Sequence, residues 1–128
     1  MIVVVRRGGE ATWAAAVVLA ATRLDVNGLL RRHLGAQKVS FAPMDTALEA
    51  TGMEYGGITP LGLPAGWPIL MDQAVAQTDT VVIGSGLRRS KLWMPGYAMA
   101  AFAGAEVLDR LGLAPRDSIM PQIETPAT

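Results

Sequence analysis

Residues Ile2–Thr22 read IVVVRRGGEATWAAAVVLAAT. A β-branched run is followed by a basic pair and then by Gly8-Gly9. β-Branched side chains favour extended backbone. Adjacent glycines supply the positive φ angles that a tight hairpin turn requires. The stretch therefore predicts a strand over Ile2–Arg6, a hairpin turn, and a returning strand over Thr12–Thr22 centred on Trp13, Val17, Val18 and Leu19. Alanines in the second limb also suit a helix, and the turn before them decides for a strand.

Working outward, Asp25 stands where a helix N-cap belongs, and Val26, Leu29, Leu30 and Leu34 recur at helical spacing until Gly35. Arg31, Arg32 and His33 fall in the last turn, where cations complement the helix dipole. Val39–Ala42 predicts a short strand. Pro43 opens a helix through Leu48, with Gly52 as its stop. Ile69–Met71 predicts a strand, after which Asp72 caps a helical turn through Ala76. Thr80–Ile83 and Leu92–Met94 predict two further strands. Pro95 opens a helix to Phe102, with Gly104 after it. This order implies an α+β (mixed α/β) single domain, with a twisted, mostly antiparallel sheet and short flanking helices. The domain is expected over residues 1–112, and the proline-bearing residues 113–128 are expected to form a flexible tail.

The chain has 128 residues, 51% hydrophobic and 17% charged, which suits one globular core and not two. Much of the apolar content is Ala and Val, so the core is expected to pack from small side chains. The formal net charge is zero, and bulk electrostatics gives no drive toward nucleic acid. Basic residues nevertheless cluster at Arg6-Arg7, Arg31-Arg32 and Arg88-Arg89 with Lys91. The lack of cysteine excludes disulfides and thiolate chemistry. The apolar run Trp13–Ala21 is too short for a membrane span. Glu10 and the early apolar block argue against a signal peptide. No membrane association and no cofactor are expected, and a cytoplasmic location is the default expectation.

Standard catalytic sets fail here. The single histidine, His33, lies in a basic run at a helix end, where a solvent-facing cation is the simpler reading than a triad base. No His/Asp/Glu spacing suggests a metal site. Asp45 and Asp72 are each explained by helix capping as well as by pairing. Two glycine-rich loops remain. Thr51–Pro64 reads TGMEYGGITPLGLP, with four glycines and two prolines, and is shaped rather than slack. Gly84-Ser85-Gly86 follows a strand and precedes Arg88-Arg89. Exposed backbone N–H groups beside arginines suit a phosphate or a developing oxyanion. The second loop is not a P-loop, because the Lys-Ser/Thr ending is missing.

At these loops the chain resembles the YbaK/prolyl-tRNA-synthetase-associated domain family, largely trans-editing aminoacyl-tRNA deacylases. The resemblance rests on KVSFAPMDTALEATGMEYGGITPLGLP at 38–64 and VVIGSGLRRSKLWM at 81–94, and extends from about Ile2 to about Leu111. It implies hydrolysis of the ester joining a mischarged amino acid to the terminal adenosine of tRNA. It further implies that Gly56, Ile58, Thr59 and Pro60 line the aminoacyl pocket, flanked by Gly84, Gly86 and Arg88. Gly57 and Ser85 are the implied catalytic positions. Water attack would be helped by backbone groups and by a hydroxyl of the tRNA's own ribose, without a protein nucleophile. The implied partners are the aminoacyl-tRNA acceptor end and an aminoacyl-tRNA synthetase. Compared with the family, the chain opens at a strand inside the usual domain, without the N-terminal helical segment and the lysine before that strand. Gly84-Ser85-Gly86 also departs from the usual Val-Ser turn, and Lys91 lies where some members carry an acid. The alternative reading is a catalytically inactive tRNA- or synthetase-binding module of the same fold.

Overall fold

The computed structural model describes residues 1–114. Gly8 and Gly9 take φ angles of 55° and 91°, and between them turn β1 (Ile2–Arg7) back into β2 (Glu10–Val17). The register runs from Ile2↔Ala15 to Arg7↔Glu10. β2 stops at Val17 rather than at Thr22. Thr22 donates both its N–H and its hydroxyl to the Leu19 carbonyl, at 2.9 and 2.7 Å, and so closes a turn where the strand was expected to continue.

After β3 (Arg23–Leu24), a π-helical turn at Val26–Leu30 continues as α1 (Arg31–His33), followed by β4 (Lys38–Phe41), α2 (Met44–Thr51) and β5 (Ile69–Asp72). Then come α3 (Gln73–Ala76), β6 (Val81–Gly84), β7 (Lys91–Met94), α4 (Gly96–Ala103), β8 (Glu106–Leu108) and β9 (Gly112–Leu113). The main sheet has the order β4-β1-β2-β5-β8. The pairs β1–β2, β1–β4, β3–β9 and β6–β7 are antiparallel, whereas β2–β5 and β5–β8 are parallel. This is the expected mixed, mostly antiparallel α+β architecture. The expected flexible tail lies almost wholly outside the described residues. Its first residue, Leu113, belongs to β9 and pairs with Arg23.

The caps were largely legible. Asp25 accepts the N–H groups of Gly28 and Leu29, each at 3.0 Å. Asp25→Ala is expected to cost about 1 kcal/mol of stability, read as a lower urea midpoint at unchanged slope. Gly52 and Gly104 end α2 and α4 in the left-handed conformation, at φ 71° and 66°. Asp72 is a correction. It makes no side-chain cap bond to α3. Its buried carboxylate instead accepts the Gly112 N–H at 3.1 Å and ties β5 to β9. Asp45 is a second correction. It lies inside α2, whose N-cap position is Pro43 and carries no side-chain cap bond. Its carboxylate accepts the N–H of the next residue, Thr46, at 2.8 Å.

The period-two alternation of β1, β2 and β5 sends side chains to two packed faces. Val3, Val5, Ala14, Ala16 and Leu70 meet Leu30 and Leu111 on one face. Ile2, Ala15 and Ile69 meet Ala47, Ile58, Leu63 and Trp67 on the other. Along that second face, Met71 and Val17 continue into a cluster with Val81, Ile83 and Met99. The first face is closed by the helical segment after β3. The second is closed by the glycine-rich loop and the β6–β7 hairpin, which brings these two features together. His33 is paired with Glu106 through Nε2, at 2.9 Å, and so links α1 to β8.

Candidate functional site

The segment between α2 and β5 has no regular structure, yet it is tied down at both ends. Trp67 stacks on Trp13 of β2, with ring centroids 5.3 Å apart and planes 6° from parallel. At the other end Gly56 takes φ 81°. The chain then dives inward, so that Gly57 and Thr59 are buried and Ile58 is half-buried. Thr59 is only 3% exposed, and its hydroxyl receives the Leu61 N–H at 3.4 Å.

The second glycine-rich turn lies against the first, backbone to backbone. Gly86 N–H donates to the Gly57 carbonyl at 2.7 Å, and Glu54 N–H donates to the Gly86 carbonyl at 3.0 Å. The Glu54 carboxylate accepts the Arg88 backbone N–H at 2.7 Å. Lys91 donates its ammonium to the Gly56 carbonyl at 2.8 Å. Glycine is required at the crossing. A Cβ on Gly57 would stand 2.7 Å from the Leu87 carbonyl group. A Cβ on Gly84 would strike the Ile58 carbonyl oxygen and lie 2.6 Å from that of Gly57. Neither neighbour is a flexible side-chain end, so only a residue without a Cβ permits this approach.

A cavity of about 160 Å³ opens where the two loops meet the end of β2. Ile58 and Pro60 form one side, Ile83 and Gly84 another, and Ala16, Val17 and Val18 a third. Met1 completes the lining. Its nitrogen donates to the Ala16 carbonyl at 2.7 Å, and burial lowers the pKa of that amino group. On the other side of Ile58 lies an apolar cavity of about 410 Å³, bounded by Phe41, Met44 and Ala47. A larger open groove, about 770 Å³, runs between Thr22–Asn27 and β4 and contains none of the loop residues.

The sequence-derived site residues therefore gather in one place with different duties. Ile58, Pro60 and Gly84 face the cavity. Gly56, Gly57 and Gly86 are spent on the contact between the loops. Ser85, expected at a catalytic position, turns its hydroxyl into its own hairpin. It lies 2.6 Å from Ser90 Oγ and accepts the Leu87 N–H at 3.3 Å. Arg88 is exposed beside Gly56. The sequence reading did not single out Val17, Val18, Ile83 or Glu54 as site residues. The three apolar residues look like ordinary strand interior, whereas Glu54 carried a signal as the lone acid between Gly52 and Gly56. No group of three or more potential metal ligands occurs among the described residues, and no helix there is long and apolar enough to cross a membrane.

The aminoacyl-tRNA editing domain matches residues 2–102, which takes in both glycine-rich loops and every strand lining the cavity. The chain belongs to this family. The fold of this editing domain recurs in solved structures. One is a candidate trans-editing enzyme for prolyl-tRNA synthetase, with TM-score 0.68 and 25% identity, over 84% of this chain and 66% of that one. A hypothetical protein superposes with TM-score 0.70 at 24% identity, over 84% of this chain and 69% of that one. A scaffold protein from a computational epitope-grafting design matches with TM-score 0.68 at 24% identity. The editing domain described here thus spans about two thirds of the length of these proteins, 66% of the first and 69% of each of the other two.

Proposed function

We propose that this editing domain hydrolyses the ester of a mischarged aminoacyl-tRNA, with the small aminoacyl group seated in the cavity under Gly56–Pro60. The observation that carries the reading is the rigid backbone-to-backbone clamp between the two glycine-rich loops at the mouth of that cavity. Its volume of about 160 Å³ equals the liquid volume of roughly five waters. That is room for a small side chain and the reacting carboxyl carbon.

Within this reading the loop leaves one of its backbone donors free at the cavity. Gly57 N–H is bonded to the Glu54 carbonyl at 2.9 Å, and Gly86 N–H to the Gly57 carbonyl. Thr59 N–H points at the Met53 sulfur, 3.4 Å away. Ile58 N–H makes no intramolecular hydrogen bond among the described residues, and its residue lines the cavity. In this reading water adds to the ester carbonyl, and Ile58 N–H receives the oxyanion that develops. The ribose oxygen leaves with a proton, and the adjacent ribose hydroxyl assists the transfer. A preorganised donor of this kind is worth about 2.7–4 kcal/mol of barrier. Gly57 and Ser85 then act as positioning residues, Gly57 by shaping the loop and Ser85 by closing the supporting turn. Arg88 lies at the rim, where the terminal phosphates pass. The setting is the cytoplasm, and the synthetase that makes the error is the natural partner.

The test is hydrolysis of tRNAs charged with Ala, Ser and Cys on non-cognate acceptors. Turnover well above the uncatalysed rate is expected for at least one of these small groups. Background rates on all of them, with salt-sensitive tRNA binding intact, would instead select the inactive binding module.

A further inference from the structure

The β6–β7 hairpin carries an apolar pair that the fold leaves unused. Val82 and Trp93 stand directly opposite each other and are 68% and 74% exposed. Directly opposed residues of an antiparallel pair share a face, so the two form one patch. The other tryptophans, Trp13 and Trp67, are stacked on each other and half-buried.

Two residues further along each strand, Gly84 and Lys91 are also paired, and alternation puts them on the face of Trp93. That face of Gly84 is covered by the Gly57 and Ile58 carbonyls, and Lys91 reaches the Gly56 carbonyl from it. The exposed pair and the loop over the cavity therefore lie on one side of the hairpin, about 7 Å apart along the strands. Arg88 and Arg89 are exposed at its tip. Among the described residues, neither Arg88 nor Arg89 has an ion-pair partner. Glu54, the acid beside the tip, takes the Arg88 backbone N–H and not its guanidinium. Two guanidinium groups that meet no carboxylate among the described residues make this tip locally basic on a chain of zero net charge.

We infer that this hairpin face is a platform for single-stranded nucleic acid. Trp93, backed by Val82, stacks an unpaired base, Arg88 and Arg89 hold the adjoining phosphates, and the strand continues toward the cavity. The inference rests on the tRNA-editing reading, since the unpaired 3′ end is the strand that must reach the cavity. Aromatic stacking beside a basic track is the chemistry of sequence-tolerant single-strand binding.

The experiment measures binding of an unacylated RNA minihelix with a four-nucleotide 3′ overhang, beside its blunt counterpart, to the wild type, Trp93→Ala and Trp93→Phe. Trp93→Ala is expected to weaken overhang binding about tenfold and to leave blunt binding unchanged, while Trp93→Phe retains most of the affinity. Arg89→Ala should reduce the salt dependence by a little under one logarithmic unit per decade. In deacylation, Trp93→Ala should raise KM without lowering kcat. Equal losses on both RNAs, no loss on either, or a change only in oligomeric state by sedimentation would overturn the platform. A wild type that binds the overhang through Trp93 but never turns over would strike the hydrolytic reading and leave the platform standing.

Discussion

Gly84→Ala is expected to lower kcat/KM for deacylation of a mischarged small aminoacyl-tRNA by about a hundredfold, the loss associated with a displacement near 1 Å at a reacting site. The added methyl points at the Ile58 and Gly57 carbonyls, and both belong to the loop that shapes the cavity. Either the hairpin or the loop must move. The hairpin is bonded to the loop through Gly86, Arg88 and Lys91, so a shift of one is transmitted to the other. Under the proposed mechanism this moves Ile58 N–H away from the carbonyl oxygen of the ester. Overpacking of this kind costs about 1–3 kcal/mol in stability, so the variant should still fold. Thermal unfolding and steady-state kinetics on the same sample separate the two effects. A folded Gly84→Ala protein with activity within twofold of wild type would show that the loop contact does not position the site.

Leu70→Ala is expected to produce the largest loss of stability, about 2–5 kcal/mol. Leu70 is 1% exposed on β5, with β2 on one side and β8 on the other. It packs in the cluster of Val3, Val5, Ala16, Leu30 and Leu111. β5 is paired on both edges, so its backbone cannot collapse into the space left behind. For a domain of this size a loss of 3 kcal/mol lowers the melting temperature by about 10–15 °C. Phe41→Ala supplies the contrast, since Phe41 is 54% exposed on the edge strand β4 and its removal should be nearly neutral. Similar melting temperatures for the two variants would contradict the placement of the core.

The elements legible in the sequence were those whose cause is local. Gly8-Gly9 announced the first hairpin, Asp25 announced its helical segment, and Gly52 and Gly104 announced two helix ends. Each acts through its own backbone angles or its own side chain, so neighbours in sequence suffice. β3, β8 and β9 were not legible, because each is two or three residues long and exists through a distant partner. Arg23 pairs with Leu113, and Leu70 with Glu106. Asp72 misled for the same reason. A carboxylate before a helical turn looks like a cap, and only the approach of Gly112 redirects it.

The candidate site divides along the same line. By itself the sequence determined that Gly56–Pro60 and Gly84–Gly86 are the unusual backbone of this chain, because glycine and proline declare their conformational roles without reference to the fold. Only the tertiary structure decided that these loops are one clamp, that Ser85 closes a turn instead of facing the cavity, and that Val17, Val18 and Ile83 complete the lining. It also decided that Trp93 is left in water beside the loop. Those outcomes depend on which face of β2 and β6 is covered and by what, and that is settled by packing across the chain and not by the identity of any one residue.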